Sequence, residues 1–236
     1  MHPYILPVYS HLKKEKNQQN AVGMKAYLLH QFDFFGVKTP ERDAIVHTYI
    51  KKNKLSKRSE LEKVIKELWL MDQRELQYFA IDIFKYHQEL WDQRSARMIE
   101  YCITHKSWWD TVDGIVSDWL HDFFKTFPEL TIPVTSKWNL SANIWLQRSS
   151  ILFQKAAKKH TSTVLLSEYI LKLADSKEFF IQKAIGWALR EYGKTNPEWV
   201  INFVATNSLS GLSKREALKR IEKDKTSRPI NSGKNK

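Results

Sequence analysis

Residues that cross-link or turn a chain are scarce here. A single cysteine, Cys102, occurs in 236 residues, which excludes an intramolecular disulfide and any multi-cysteine zinc site. Seven glycines and seven prolines amount to roughly half or less of ordinary usage. All-β sandwiches and Gly-rich nucleotide-binding folds consume more turn residues than this. Neither a phosphate-cradling glycine loop nor a Gly-x-Ser-x-Gly elbow is present. The eight histidines (His2, His11, His30, His47, His87, His105, His121 and His160) show no ligand spacing, so no zinc site is expected. No apolar run approaches the roughly 18 residues of a membrane span, and the first 25 residues lack a signal-peptide pattern. These absences predict a helical, cytoplasmic protein with no membrane partner.

What is present in excess is positive charge. The chain carries 38 Lys and Arg against 26 Asp and Glu, a net of +12. The excess is uneven: residues 1–60 are net +6, residues 61–140 net −4, residues 141–212 net +4 and the last 24 residues net +6. From Lys223 onward the composition reads as a frayed, solvated basic tail. The excess over 141–212 belongs to a folded region and points to a polyanionic partner, nucleic acid first.

Apolar periodicity of 3.6 residues predicts helices nearly throughout. Expected starts are Thr39 with Pro40 and Glu41, Asp72 paired with Glu75 as a capping box, Ser107, Ser176, and Asn196-Pro197. Gly36 and Gly193 are expected helix ends. The stretch Phe127 to Ala142, with Pro128 and Pro133, reads as a non-helical link. The chain also resembles itself. Trp145-Leu146-Gln147-Arg148 recurs 35 residues on as Phe180-Ile181-Gln182-Lys183, and Leu76-Gln77 lies two such shifts before Leu146-Gln147. Periods of this length belong to stacked helical pairs. The register sets Tyr78, Asp113, Arg148 and Lys183 at one position of successive repeats, and predicts that they line one face, the concave one.

Ser107-Trp108-Trp109-Asp110-Thr111-Val112-Asp113 is the most unusual run. In a helix Trp109 and Asp113 share a face, while Trp108 falls with Val112 and reads as core. Ordinary packing accounts for Trp109 as well as a functional role does, and a salt-bridged acid accounts for Asp113. Arg148, one repeat further, makes either a structural ion pair or a phosphate-holding guanidinium beside an active carboxylate. Trp187 and Arg190 form a second aromatic-basic pair. Aromatic faces beside cations suit a nucleic-acid site, although Gly186 making room for a bulky core residue explains Trp187 equally. Cys102, in the apolar helix Ile99 to Ile103, reads as a small core residue.

The Ser107–Asp113 run, Asn143-Ile144-Trp145-Leu146-Gln147-Arg148, and Ser176 through Arg190 with Tyr192 resemble the AlkD-type DNA alkylation repair glycosylases. The same order continues from Thr39-Pro40-Glu41-Arg42 to Leu212-Ser213-Lys214-Arg215-Glu216-Ala217, so the resemblance spans roughly residues 1–222. It implies an all-α fold, a superhelical α-solenoid of HEAT-like helical-pair repeats in one domain, 1–222, followed by a flexible basic tail over 223–236. Duplex DNA containing alkylated purines would lie in its concave basic groove. The implied activity is hydrolysis of the N-glycosidic bond of N3- or N7-alkylated purines, 3-methyladenine and 7-methylguanine among them. It would proceed without metal or cofactor, in a monomer associated with the nucleoid when acting on DNA.

By this resemblance Asp113 is the catalytic carboxylate, Trp109 and Trp187 the aromatic pair against the lesion's deoxyribose, and Arg148 the holder of the backbone beside it. Tyr27 would line the groove. Lys183 and Arg190, from the repeat register and helix spacing, are expected phosphate contacts. The sequence departs from the family at Lys155-Ala156-Ala157-Lys158, where the basic residue Lys155 is displaced by one position. A non-catalytic helical-repeat module that binds DNA or an acidic protein is the competing expectation from charge and period.

Overall fold

The computed structural model describes residues 1–226, with side chains as far as Lys223. Helices follow one another as α1 (Leu6–Lys14), α2 (Gln18–Tyr27), α3 (Thr39–Lys52), α4 (Arg58–Leu70), α5 (Arg74–Tyr86), α6 (Ser95–Thr104), α7 (Trp109–Ile115) and α8 (His121–Thr126). They continue as α9 (Thr131–Asn139), α10 (Ile144–Leu152), α11 (Thr163–Lys172), α12 (Phe179–Tyr192), α13 (Pro197–Thr206) and α14 (Gly211–Thr226). Among the described residues no β-strand occurs, only an isolated bridge between Asp33 and Gln73. The helix α14 runs four residues past the expected boundary at 222, and the remainder of the expected tail, 227–236, lies outside the described residues.

Packing divides the chain into two compact units, Met1–Phe127 and Pro128–Lys236. In the first, α3, α5 and α7 pack in succession, with α4 against α5 and α6 against α7. In the second, α10, α12 and α14 do the same, with α9 and α11 against α10 and α13 against both α12 and α14. Each unit is thus a succession of helical pairs, the all-α solenoid architecture that the 35-residue period implies. Their cores are rich in large rings: Trp69, Phe79, Phe84, Trp119 and Phe123 in the first unit, Trp138 and Tyr169 in the second. Cys102 is fully buried, and desolvation holds its thiol well above the ordinary value.

The repeated glutamine has a structural job. The side-chain amide of Gln77 donates to the Met71 carbonyl (2.8 Å), that of Gln147 to Ser141 (2.7 Å) and that of Gln182 to Ser176 (3.0 Å). Each reaches back six residues to the loop entering its own helix and satisfies a carbonyl that no helix serves.

Local starts differ from expectation where the partner is distant. Asn196 does cap α13, its Oδ1 accepting from Trp199 N at 3.0 Å. Helix α3 is capped at Lys38, whose backbone amide donates to Glu41 at 3.0 Å, so Thr39 is its first residue and not the cap that the sequence suggested. The Asp72–Glu75 capping box does not form. Glu75 is buried and accepts instead from the backbone amides of Phe35, Gly36 and Val37 at 2.8–3.2 Å. Burial still pushes its carboxyl up, against those three bonds. Gly36 does not end a helix directly; it stands in that loop at φ 88, where a Cβ would lie 2.0 Å from Asn17 O. Residues 127–142 are not a simple link, because α9 fills most of them. Pro133 falls within its first turn, where the missing amide proton has no helical partner to lose.

Candidate active site

Helix α7 carries two of the expected residues, Trp109 at its first position and Asp113 one turn on. Its start is fixed by a group 36 residues earlier. Arg74 is completely buried and holds both carboxylate oxygens of Asp110 at 2.8 Å, through Nε and Nη2. The same guanidinium donates to the Lys106 carbonyl and to Thr111 Oγ1, each at 2.8 Å. Phe32 lies against its face, 3.7 Å from ring centroid to Cζ. Tyr78 donates its hydroxyl to Asp110 Oδ2 at 2.6 Å, and burial beside that carboxylate pushes the phenol's pKa up. Arg42 covers the Tyr78 ring at 4.7 Å. Paired, bidentate groups of this kind fix direction as well as distance, so the residue next to Trp109 has little freedom.

Trp109 is half-buried against Ala21, Leu28 and Phe34, and Trp108 packs on the same cluster. Trp108 is therefore not the deep core residue that helical spacing implied; it precedes the helix in extended conformation, φ −155 and ψ 163. Tyr27 is 71% exposed and meets Trp109 edge to face, with centroids 5.5 Å apart. An aromatic recess of about 330 Å³ opens here, lined by Tyr27, Phe34, Tyr78, Trp109, Arg42 and Glu75. After Asp113 the helix widens into a π-helical turn, Val116–Leu120, and Ser117 Oγ donates to the Asp113 carbonyl at 2.7 Å. Such turns are over-represented at functional sites.

The other expected residues belong to the second unit. Arg148 on α10 is 4% exposed and donates from Nη1 to the Phe180 carbonyl at 2.7 Å, with its guanidinium 5.9 Å over Trp187. Lys155, displaced in sequence, sets its ammonium 4.1 Å over the same Trp187 ring. Trp187 itself is half-buried, so its partner is not a pocket made by Gly186. That glycine admits α14: a Cβ there would meet Glu216 Cβ at 2.4 Å and Ser213 O at 2.9 Å. Lys183 and Arg190 both bind Glu216, at 2.9 and 2.5 Å. The Lys183 bond first, then Arg190, holds that carboxyl below its ordinary value.

In each unit, then, a half-buried tryptophan has aromatic or charged neighbours: Trp109 the Tyr27 ring, with Asp113 one turn on, in the first, and Trp187 the cations of Arg148 and Lys155 in the second. Arg74, Asp110 and Arg42 escaped the sequence reading. A buried ion pair 36 residues apart leaves no local signature, although its spacing is close to the repeat period.

Helical pairs packed in succession, with no strand among the described residues, define an α-solenoid. The family described as DNA alkylation repair enzyme matches residues 8–221. This chain belongs to that family. It is similar to the solved structure titled "Predicted DNA alkylation repair enzyme from Enterococcus faecalis", at 32% identity and a TM-score of 0.83, covering 88% of this chain and 97% of that one. Comparison with curated proteins finds no match. No helix among the described residues is long and apolar enough to cross a membrane.

Proposed function

We propose that the protein is a monofunctional DNA glycosylase, a monomer that hydrolyses the N-glycosidic bond of N3- and N7-alkylated purines in duplex DNA and so begins base excision repair. The observation that carries this reading is the arrangement on α7: Trp109 and Asp113 one turn apart, on a helix whose first turn is gripped by Arg74 through Asp110. Membership of the DNA alkylation repair family supports it.

Alkylation at N3 or N7 makes the purine cationic and a good leaving group. As the bond to C1′ breaks, its electron pair leaves with the base and positive charge develops on the deoxyribose. Asp113 opposes that charge and orients a water, whose oxygen bonds to C1′ and whose proton is given up to solvent. Products are the free alkylpurine and an abasic site. Trp109 and Trp187 add cation–π attraction to the sugar; Trp187 already takes the Lys155 ammonium on its face. Arg148, Lys155, Lys183 and Arg190 attract phosphate without reading sequence, and Tyr27 lines the DNA-facing surface. An undamaged base is a poor leaving group, so selectivity comes from the lability of the lesion.

Single-turnover release of 7-methylguanine from a duplex tests this. Wild-type protein should release the base, and Asp113→Asn should slow release about 10²–10³-fold, as loss of one preorganised charge partner does. Tight DNA binding with no release would favour the non-catalytic module; release unaffected by Asp113→Asn would remove Asp113 from the chemistry.

A further inference from the structure

Away from α7 lies a set of side chains that the glycosylase reading does not use. Asp43 and His47 are one turn apart on α3, and Asp82 faces them from α5. One potential ligand atom from each lies within 4.8 Å of the other two. Asp82 Oδ2 is shut off from solvent and receives no hydrogen bond; His47 Nε2, 3.7 Å away, is too distant to provide one. Arg42 holds Asp43 Oδ1 at 2.7 Å through Nη2 and 3.1 Å through Nε, leaving Oδ2 without a bond from it, and its charge also acts on Asp82. The cluster borders a recess of about 320 Å³ that Asp118, Lys51 and Lys85 also line, and Lys85 is paired with Asp122.

We propose that Asp43, His47 and Asp82 are a binding site for one divalent metal ion of borderline character, zinc being the type case. Each part of the set matches that chemistry. An Asp and a His at i and i+4 project from one face of a helix, and a third ligand from a packed neighbour completes one side of a coordination sphere. One imidazole nitrogen with two carboxylates suits zinc, cobalt or nickel; magnesium and calcium take oxygen donors almost exclusively. The buried, unbonded Asp82 oxygen is the feature that a hydrogen-bonded structural carboxylate would not leave. Around a tetrahedral zinc with bonds of about 2.0–2.2 Å, adjacent ligand atoms stand roughly 3.3 Å apart. The cluster must therefore contract by rotation of its side chains, and His47, 52% exposed, has room to turn. Water takes the remaining position on the exposed side. Bound metal would clip α3 to α5 and stabilise the native state by mass action.

The sequence showed no ligand spacing among its histidines. The spacing that matters pairs a histidine with acids, one of them on another helix.

Calorimetric titration of the full chain, freed of metal by chelator, with Zn²⁺ alone at pH 7.5 tests the site. One equivalent should bind saturably and raise the melting temperature. His47→Ala and Asp82→Asn should each weaken that binding tenfold or more, while His160→Ala, outside the cluster, leaves it unchanged. His47 is exposed, so its variant should fold; circular dichroism checks this. Absence of a one-to-one event, or an event undiminished in His47→Ala, overturns the proposal. Excision activity plays no part in the readout, so failure here is separable from failure of the glycosylase reading.

Discussion

Arg74 grips Asp110 through two parallel N–H···O bonds of 2.8 Å, and Asp110 is the residue after Trp109. The pair is deeply placed, with Arg74 fully buried and the Asp110 side chain 8% exposed. A desolvated ion pair of this kind returns little net stability over an apolar isostere, but breaking one is costly because the surviving charge is stranded. Its value is geometric: it sets the direction from which α7 starts.

Arg74→Ala should therefore lower unfolding free energy by about 3–5 kcal/mol, the range for an orphaned buried charge. Urea unfolding at pH 7 measures this. Arg74→Lys should recover only part of the loss, since an ammonium cannot reproduce the bidentate grip on Asp110 or the contact with Phe32. Equal stability of wild type and Arg74→Ala would show that the pair is not a structural clamp.

Gly186→Ala should be destabilising even though it sits in a helix, where alanine is ordinarily favoured. The added methyl would meet Ser213 O and Glu216 Cβ well inside contact distance, and α12 and α14 would have to separate. Overpacking of this kind costs about 1–3 kcal/mol. Thermal melts of the two proteins would give the sign directly; a stabilised variant would contradict the close helix approach.

Glu216 makes a prediction about acid. Its carboxyl lies below the ordinary 4.5 in the folded chain, through the bond to Lys183 first and Arg190 next. A lowered folded value means that the ion pairs contribute fully above pH 4.5 and are lost as pH falls through the lowered value. Glu216→Gln should lower stability at pH 7 by at most about 1 kcal/mol, since Lys183 is partly solvated. Its stability should then fall less steeply than that of wild type below pH 4.5. The same change releases two cations from an internal carboxylate, so non-specific duplex affinity should rise. Denaturant midpoints across pH 3–7, with fluorescence anisotropy on undamaged DNA, check both.

Gln77→Ala should cost about 1–3 kcal/mol by removing two buried hydrogen bonds worth roughly 0.5–1.5 kcal/mol each, while Met71 O keeps the Lys106 ammonium and Leu68 O keeps the Met71 amide. The buried Gln77 amide serves Leu68 O at 2.9 Å as well as Met71 O, whereas Gln182 serves Ser176 alone among its described bonds and is half-buried. Gln182→Ala should consequently cost less. Denaturant unfolding of the two variants side by side tests the order.

The sequence carried the helical class, the period and the residues of α7 because each is encoded locally. Periodicity marks one helix face, and the glutamine recurs at a fixed interval because it does the same local job each time. What it could not carry is pairing across distance. Glu75 looked like a capping partner for Asp72 because that is the nearest role, yet its amide donors lie in a loop some 40 residues earlier. Pro133 looked like a helix breaker because proline usually is; its position in the first turn of α9 depends on where that helix starts. Lys155 looked misplaced by one residue, but a long flexible side chain reaches Trp187 regardless. The pairing of Lys183 and Arg190 with Glu216 was likewise hidden, because their partner lies on another helix.

The glutamine bonds have an evolutionary corollary. Each one ties a helix to its own incoming loop, never to the next pair, so the instruction for loop shape travels with the segment that uses it. A tandem copying event would deliver a pair whose turn is already specified, leaving only the surfaces between pairs to be adjusted afterwards. Degeneration of the rest of the repeat around a retained glutamine is what such a history would leave behind.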